Sequence, residues 1–267
     1  MIRDITIGQY YQTDSIIHRM DPRVKLAGTL LFIISLFCFD NYAGYAVAAI
    51  FLAIVIKLSR VPFKFMIKGM KAIVMILLIT VIFNLFLTPG EVIFSFWKIS
   101  VTKEGLATAA TMAVRLIFLI IGSSVMTLTT TPNNLTDGLE KALNPMKKIK
   151  VPVHEIAMMM SIALRFIPIL LEETDKIMKA QLARGADFES GNIFKRAKAL
   201  VPILVPLFIS AFRRANDLAM AMEARCYRGG DGRTKMKPLI YRKADYIGYV
   251  CLLLYMVLSI LIGRVLF

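Results

Sequence analysis

A chain of 267 residues that is 57% hydrophobic, with a mean hydropathy of +0.66, holds more apolar surface than one soluble core can hide, so lipid must solvate part of it. A formal net charge of +15 on so apolar a chain points to basic loops facing anionic headgroups or an acidic partner, and away from nucleic acid. Cys38, Cys226 and Cys251 fall at no metal-ligand or C-x-x-C spacing, so neither a zinc site nor a disulfide framework is implied.

The N-terminal segment carries Asp4, Asp14 and Asp21 among its bases, and the apolar run after it leads into a second apolar run instead of a small-residue cleavage site. It is read as mature sequence and not as a signal peptide. Five apolar runs follow, at 26–39, 42–56, 72–87, 106–130 and 246–262. Several are shorter than the roughly 20 residues a spanning helix needs. Lys25, Lys57, Lys68 and Lys71 can extend them by laying their methylene stems in the bilayer and snorkelling. The first two runs, split by Asp40 and Asn41, predict a tight helical hairpin.

Loop charge orients the spans. Residues 57–71 hold Lys57, Arg60, Lys64, Lys68 and Lys71 without an acid, whereas 88–105 hold Lys98 and Lys103 against Glu91 and Glu104. The first loop is therefore expected inside and the second outside. It follows that the N-terminus and residues 131–243 are cytosolic and that the short C-terminus is external. The expected fold is an all-α integral membrane protein with about five transmembrane helices and a cytosolic amphipathic helical coupling module. Its parts are four spans in 1–130, the coupling helices in 131–243 and a last span in 244–267.

The cytosolic segment opens on Thr131-Pro132-Asn133-Asn134-Leu135, a turn into a short helix that should stop before Pro145. Apolar residues then recur at three- and four-residue steps from 153 to 184 (Ile156, Met159, Met160, Ala163, Ile167) and again from 193 to 225 (Ala197, Leu200, Val201, Leu204, Phe208). Two long amphipathic helices are predicted, stopped first by Gly185. Each contains a nearly uncharged stretch, so a seven-span topology competes. That topology would place outside a loop bearing Lys176, Lys179, Arg184, Lys195, Arg196 and Lys198, an unfavourable load to translocate. Between 225 and 243, Arg228, Arg233, Lys235, Lys237 and Arg242 form a basic stretch beside Gly229-Gly230, suited to anionic lipid.

Both long helices end on alanine, arginine and a small residue: Ala183-Arg184-Gly185 and Ala224-Arg225-Cys226. A small alanine lets another surface approach, and an arginine offers a planar donor fork that suits a partner carboxylate. The competing reading is an arginine that bonds free carbonyls at its own helix end.

With these ends, with Met20-Asp21-Pro22-Arg23-Val24-Lys25-Leu26 before the first span, and with Arg165-Phe166-Ile167-Pro168, the chain resembles the T component of energy-coupling factor transporters over nearly its whole length. The resemblance implies a transmembrane scaffold that joins two ABC-type ATPase subunits to a substrate-binding integral membrane subunit for uptake of a vitamin or metal ion. It implies that Arg184 and Arg225 each enter a groove on one ATPase, and that ATP and Mg are bound by those partners and no cofactor by this chain. Cys226 departs from the family's glycine. A helix stop that depends on left-handed glycine geometry would then be expected to move on to Gly229 or Gly230.

Other chemistry finds little support. No G-x-x-x-x-G-K-[ST] phosphate loop is present, so an ATPase of its own is not expected. His154-Glu155 starts like a zinc-protease helix, but Met158 stands where the second histidine is needed. His18 is expected on the surface. Arg115 lies well inside an apolar run and is either functional or buried against a helix or carbonyl. A secondary transporter would want more mid-membrane polarity than Asn84 and Arg115 supply, and a membrane enzyme would want paired carboxylates, a metal cluster or an activated nucleophile.

Overall fold

The structure, a computed structural model, describes residues 10–39, 41–70, 73–96, 99–188, 192–230, 236 and 238–265. Asp4, Asp40, Lys71, Lys98, Arg233, Lys235 and Lys237 lie outside them. The chain divides into two compact units, one of residues 8–142 with 239–267, the other dominated by 143–238.

In the first unit, a single helical turn α1 (Ile16–Arg19) precedes α2 (Pro22–Ser35), α3 (Tyr42–Ser59), α4 (Phe63–Met70) and α5 (Val74–Leu87). A two-stranded antiparallel hairpin, β1 (Val92–Phe96) with β2 (Ile99–Thr102), leads into α6 (Lys103–Thr129) and α7 (Pro132–Ala142), and α10 (Lys243–Val265) returns from the far end of the chain. Residues 88–105, expected to be a loop, thus contain extended structure. The hairpin forms from a stretch rich in β-branched and aromatic residues, the types that favour extended backbone. Thr102 then caps α6, its Oγ1 accepting from Gly105 N at 3.0 Å.

The start of α2 is built by Asp21-Pro22. Asp21 Oδ1 accepts from Arg23 N at 2.9 Å, and proline occupies the first helical position, where no N–H is needed. Asp21 N in turn donates to Asp245 Oδ1 at 2.7 Å, and Asp245 Oδ2 accepts from Arg242 N at 2.7 Å, closing the first turn of α10. Further along, Ser35 Oγ lies 2.7 Å from Tyr255 Oη. Early residues pair with early and late with late, so α2 and α10 run parallel. Of the tight hairpin expected about Asp40 and Asn41, Asp40 lies outside the described residues; on either side of it Phe39 and Tyr45 pack edge to face at 5.3 Å. Deeper in, α2 and α3 meet through α10: the Tyr255 ring is 4.3 Å from Phe51 and 6.0 Å from Phe32. These residues belong to an apolar core with Leu36, Ala48, Leu52, Ile121, Val125 and Leu128.

The second unit holds a 3₁₀ turn (Asn144–Ile149), α8 (Val153–Ala183) and α9 (Ile193–Ala224). The short helix α7 stops before Pro145, as expected from sequence. Glu173 of α8 accepts from Ser210 Oγ and Arg214 Nη2 of α9, both at 2.8 Å, and Gln181 Nε2 donates to Pro202 O at 3.4 Å. As α8 advances its partners on α9 recede, so the two helices are antiparallel where they touch.

Five helices are long and apolar enough to cross a membrane: α3, α6, α8, residues 197–224 of α9, and α10. Two of the five apolar runs read from sequence, 26–39 and 72–87, instead lie largely in 14-residue helices, α2 and α5, about 21 Å each at 1.5 Å per residue and short of the hydrocarbon thickness. The protein is an all-α integral membrane protein to which one small hairpin is added.

Candidate functional site

The ends of α8 and α9 are built alike. On α8, Gly185 N donates to Leu182 O at 3.0 Å and Ala186 N to Gln181 O at 3.0 Å. On α9, Cys226 N donates to Glu223 O at 2.8 Å and Tyr227 N to Met222 O at 3.0 Å. Both are Schellman ends, in which a left-handed residue turns the chain so that its own backbone satisfies the last carbonyls. Gly185 has φ +85° and Cys226 φ +54°. The expected move of the stop to Gly229 or Gly230 does not occur. Cys226 takes the left-handed conformation itself, because the paired backbone bonds of the motif hold it there against the Cβ clash.

Ala183, Arg184, Gly185, Ala224, Arg225 and Cys226 are all exposed. Among the described residues, neither the Arg184 nor the Arg225 guanidinium has a hydrogen-bond or ion-pair partner. Of the last-turn carbonyls, those of Ala180, Gln181 and Leu182 on α8 and of Met222 and Glu223 on α9 are taken by backbone N–H groups. Counted from the Glu173–Ser210 contact, the two arginines lie in opposite directions, roughly 16 Å along α8 and 22 Å along α9 at 1.5 Å per residue. The Gly230 backbone, just past the end of α9, packs on the His154 ring at the start of α8, a Cβ there falling 2.4 Å from His154 Cδ2. The site thus consists of two separate, outward-facing basic points at opposite ends of one antiparallel helix pair. Arg165 and Pro168 are exposed midway along α8.

The Glu173–Ser210–Arg214 clasp was not read from sequence. Glu173 and Arg214 stand on helices whose apolar periodicity was legible, but the register between those helices was not.

Met20 to Leu26 also acquires a role. Arg23 Nε and Nη2 donate to Asp21 Oδ1 and Oδ2 at 3.0 and 2.8 Å, its guanidinium carbon sits 3.8 Å from the centre of the Tyr241 ring, and Nη2 reaches Leu239 O at 3.4 Å. Burial pushes the Asp21 carboxyl up, but the Arg23 side-chain and backbone hydrogen bonds prevail and hold it below the ordinary carboxylate value. Lys25 Nζ donates to Thr129 O at 2.9 Å and His18 O at 3.3 Å. The motif therefore fastens α1, the end of α6 and the approach to α10 to the start of α2.

His18 is half-buried, not simply at the surface: Nε2 donates to Tyr11 O at 3.0 Å and Nδ1 accepts from Ser15 Oγ at 2.7 Å. Arg115, 9% exposed, donates through Nε to Tyr45 Oη at 3.0 Å and through Nη2 to Phe39 O at 3.5 Å. From α6 it thus ties Phe39, in the connection after α2, to Tyr45 in the first turn of α3.

A family model described as a cobalt transport protein, CbiQ, matches residues 13–236. The energy-coupling factor transporter transmembrane protein EcfT of Clostridium kluyveri is 57% identical over 263 residues, covering 98% of this chain and 97% of its own. That of Bacillus subtilis is 50% identical over 246 residues, covering 92% and 93%. That of Lactococcus lactis subsp. cremoris is 44% identical over 265 residues, covering 99% and 100%. With similarity this high from end to end, the chain belongs to the transmembrane T-component family of energy-coupling factor transporters.

Proposed function

We propose that this transporter subunit links two ABC-type ATPases to a substrate-binding integral membrane subunit, for uptake of a micronutrient such as a vitamin or metal ion across the plasma membrane. Arg184 and Arg225 are its two ATPase anchors, with Ala183 and Ala224 leaving room for the docking surface and Gly185 and Cys226 turning the chain away. ATP and Mg are held by the ATPases. The observation that carries this reading is the pair of matching helix ends, each presenting an exposed arginine without a partner among the described residues, at opposite ends of one helix pair. Two points held apart on one rigid pair suit two partners, and motion at either point is carried along α8 and α9. The apolar residues left bare on these helices, among them Met159, Phe208 and Phe212, suit a membrane-embedded partner. Purification through a tag on this chain should recover two ATPase subunits and a small hydrophobic membrane protein; recovery of the chain alone from intact membranes would argue against the reading.

In the proposed orientation the N-terminus and residues 131–243 are cytosolic and the C-terminus is external. A second topology, in which α8 and α9 span the bilayer, is favoured by their length and uncharged windows. A single cysteine placed at Lys195, in the first turn of α9, separates the two. It should resist an impermeant thiol reagent in intact cells, and ready labelling there would establish that α8 and α9 span the bilayer.

A further inference from the structure

A cavity of about 330 Å³ lies in the first unit, between the N-terminal half of α2, the C-terminal halves of α3 and α6, and the first turns of α10. Phe32, Leu52, Val55, Val125 and Leu252 form its walls, and Lys25 is the one charged residue among the described residues that lines it. Ile54 and Leu58 of α3 and Ile247 of α10 also line it and are exposed, so it opens at those rims as a crevice.

Water is a poor occupant, because the walls give it few polar partners. Left empty, the walls forfeit dispersion contacts. In a bilayer the abundant species of matching chemistry is an acyl chain. Lys25 adds a preference among lipids. Its ammonium has three donors, of which two are used among the described residues, on Thr129 O and His18 O. The carboxylates whose charge reaches it, Asp21 and Asp245, are engaged elsewhere: Asp21 by Arg23, and Asp245 by the backbone N–H groups of Asp21 and Arg242. Two further cations, the exposed Lys57 and Lys243, adjoin the lining residues Leu58 and Ala244 in the chain. An apolar slot lined by an ammonium with a donor to spare among the described residues complements a negatively charged, single-headed amphiphile.

We propose that this crevice is a binding site for one anionic phospholipid, with an acyl chain in the slot and the headgroup phosphate at Lys25. The lipid would fill the seam where α2, α3, α6 and α10 converge, and so brace the joint formed by Met20 to Leu26.

Cys251 lines the crevice and serves as a reporter. The full-length chain, with Cys38→Ser and Cys226→Gly, is labelled at Cys251 with a small fluorophore. It is then reconstituted into vesicles containing phosphatidylglycerol or phosphatidylcholine with brominated chains, at equal mole fractions. The brominated phosphatidylglycerol should quench with roughly fivefold higher apparent affinity, the weight of one lysine near anionic lipid. Lys25→Gln should bring the two lipids level, and Lys25→Arg should keep most of the preference, which separates loss of charge from loss of fold. Equal quenching in the parent protein, or a preference that survives Lys25→Gln, would overturn the site. Absence of quenching by either lipid would show a crevice filled by something other than lipid and would overturn it as well.

Discussion

Gly185 and Cys226 occupy the same position at the ends of α8 and α9, one residue past an Ala-Arg pair and both left-handed, with φ of +85° and +54°. One position has the residue that adopts this backbone freely, and the other has a residue that pays a steric cost for the same turn. Replacing Cys226 by glycine should therefore stabilise the chain by about 1 kcal/mol, and Gly185→Ala should destabilise it by about 1–2 kcal/mol. Unfolding in detergent measures both. Equal and opposite behaviour, with Cys226→Gly destabilising, would mean that the cysteine side chain contributes something the backbone does not show.

The Glu173–Ser210–Arg214 clasp joins α8 to α9, with the Glu173 and Arg214 side chains 27% and 39% exposed. Partial exposure and solvent screening keep such a pair modest. A double-mutant cycle on Glu173→Gln and Arg214→Gln should give a coupling of about 0.5–1 kcal/mol. If α8 and α9 transmit motion as one body, the same variants should lower transport per ATP hydrolysed more than they lower hydrolysis itself. A parallel fall in both would assign the clasp to stability alone.

Asp245 is 1% exposed and accepts two backbone N–H groups, those of Asp21 and Arg242. Asparagine there can accept with one end only and sets a donor against the other N–H. Asp245→Asn should cost about 1–3 kcal/mol. Hydrogen exchange should rise together at the starts of α2 and α10, because one carboxylate serves both. Exchange confined to α10 would contradict the shared cap.

Burial holds the His18 imidazole below its ordinary pKa of 6.5, and the hydrogen bonds to Tyr11 and Ser15 fit the neutral ring. An unfolded N-terminal segment takes up its proton as pH falls through 6.5, whereas the folded segment does so only lower. The contribution of His18 is therefore complete above pH 6.5 and is lost as the pH drops below it. Hydrogen exchange over residues 10–20, corrected for intrinsic rate, should rise between pH 7.5 and pH 5. A His18→Gln variant should lose that dependence, and a profile unchanged by the substitution would place the titrating group elsewhere.

Much of this was legible in the sequence because it depends on local pattern. The apolar periods of 153–184 and 193–225, the stop at Gly185 and the break before Pro145 follow from residues close together in the chain. The clasp at Glu173, the Asp21–Asp245 cap and the Tyr255 ring against Phe51 join residues tens to hundreds of positions apart, and no local period encodes such a register. The hairpin at Val92 to Thr102 was hidden by its length, since two strands this short resemble a loop between spans. Cys226 misled for another reason: the rule that glycine takes the left-handed turn is a preference of about 1 kcal/mol, and the Schellman hydrogen bonds at that helix end outweigh it.

The central claim is that Arg184 and Arg225 hold the ATPases. An arginine buried against a partner carboxylate should cost about 2–5 kcal/mol when lost, against about 0.3–1 kcal/mol for one that only complements its helix end. The direct measurement is recovery of the ATPase subunits with a tagged chain carrying Arg184→Glu and Arg225→Glu together. Each single change should leave partial recovery through the other site, and the double change should abolish it while the chain remains inserted and folded. If the double variant recovers both ATPases as the parent does, these arginines are not the docking points and the proposed interface is wrong.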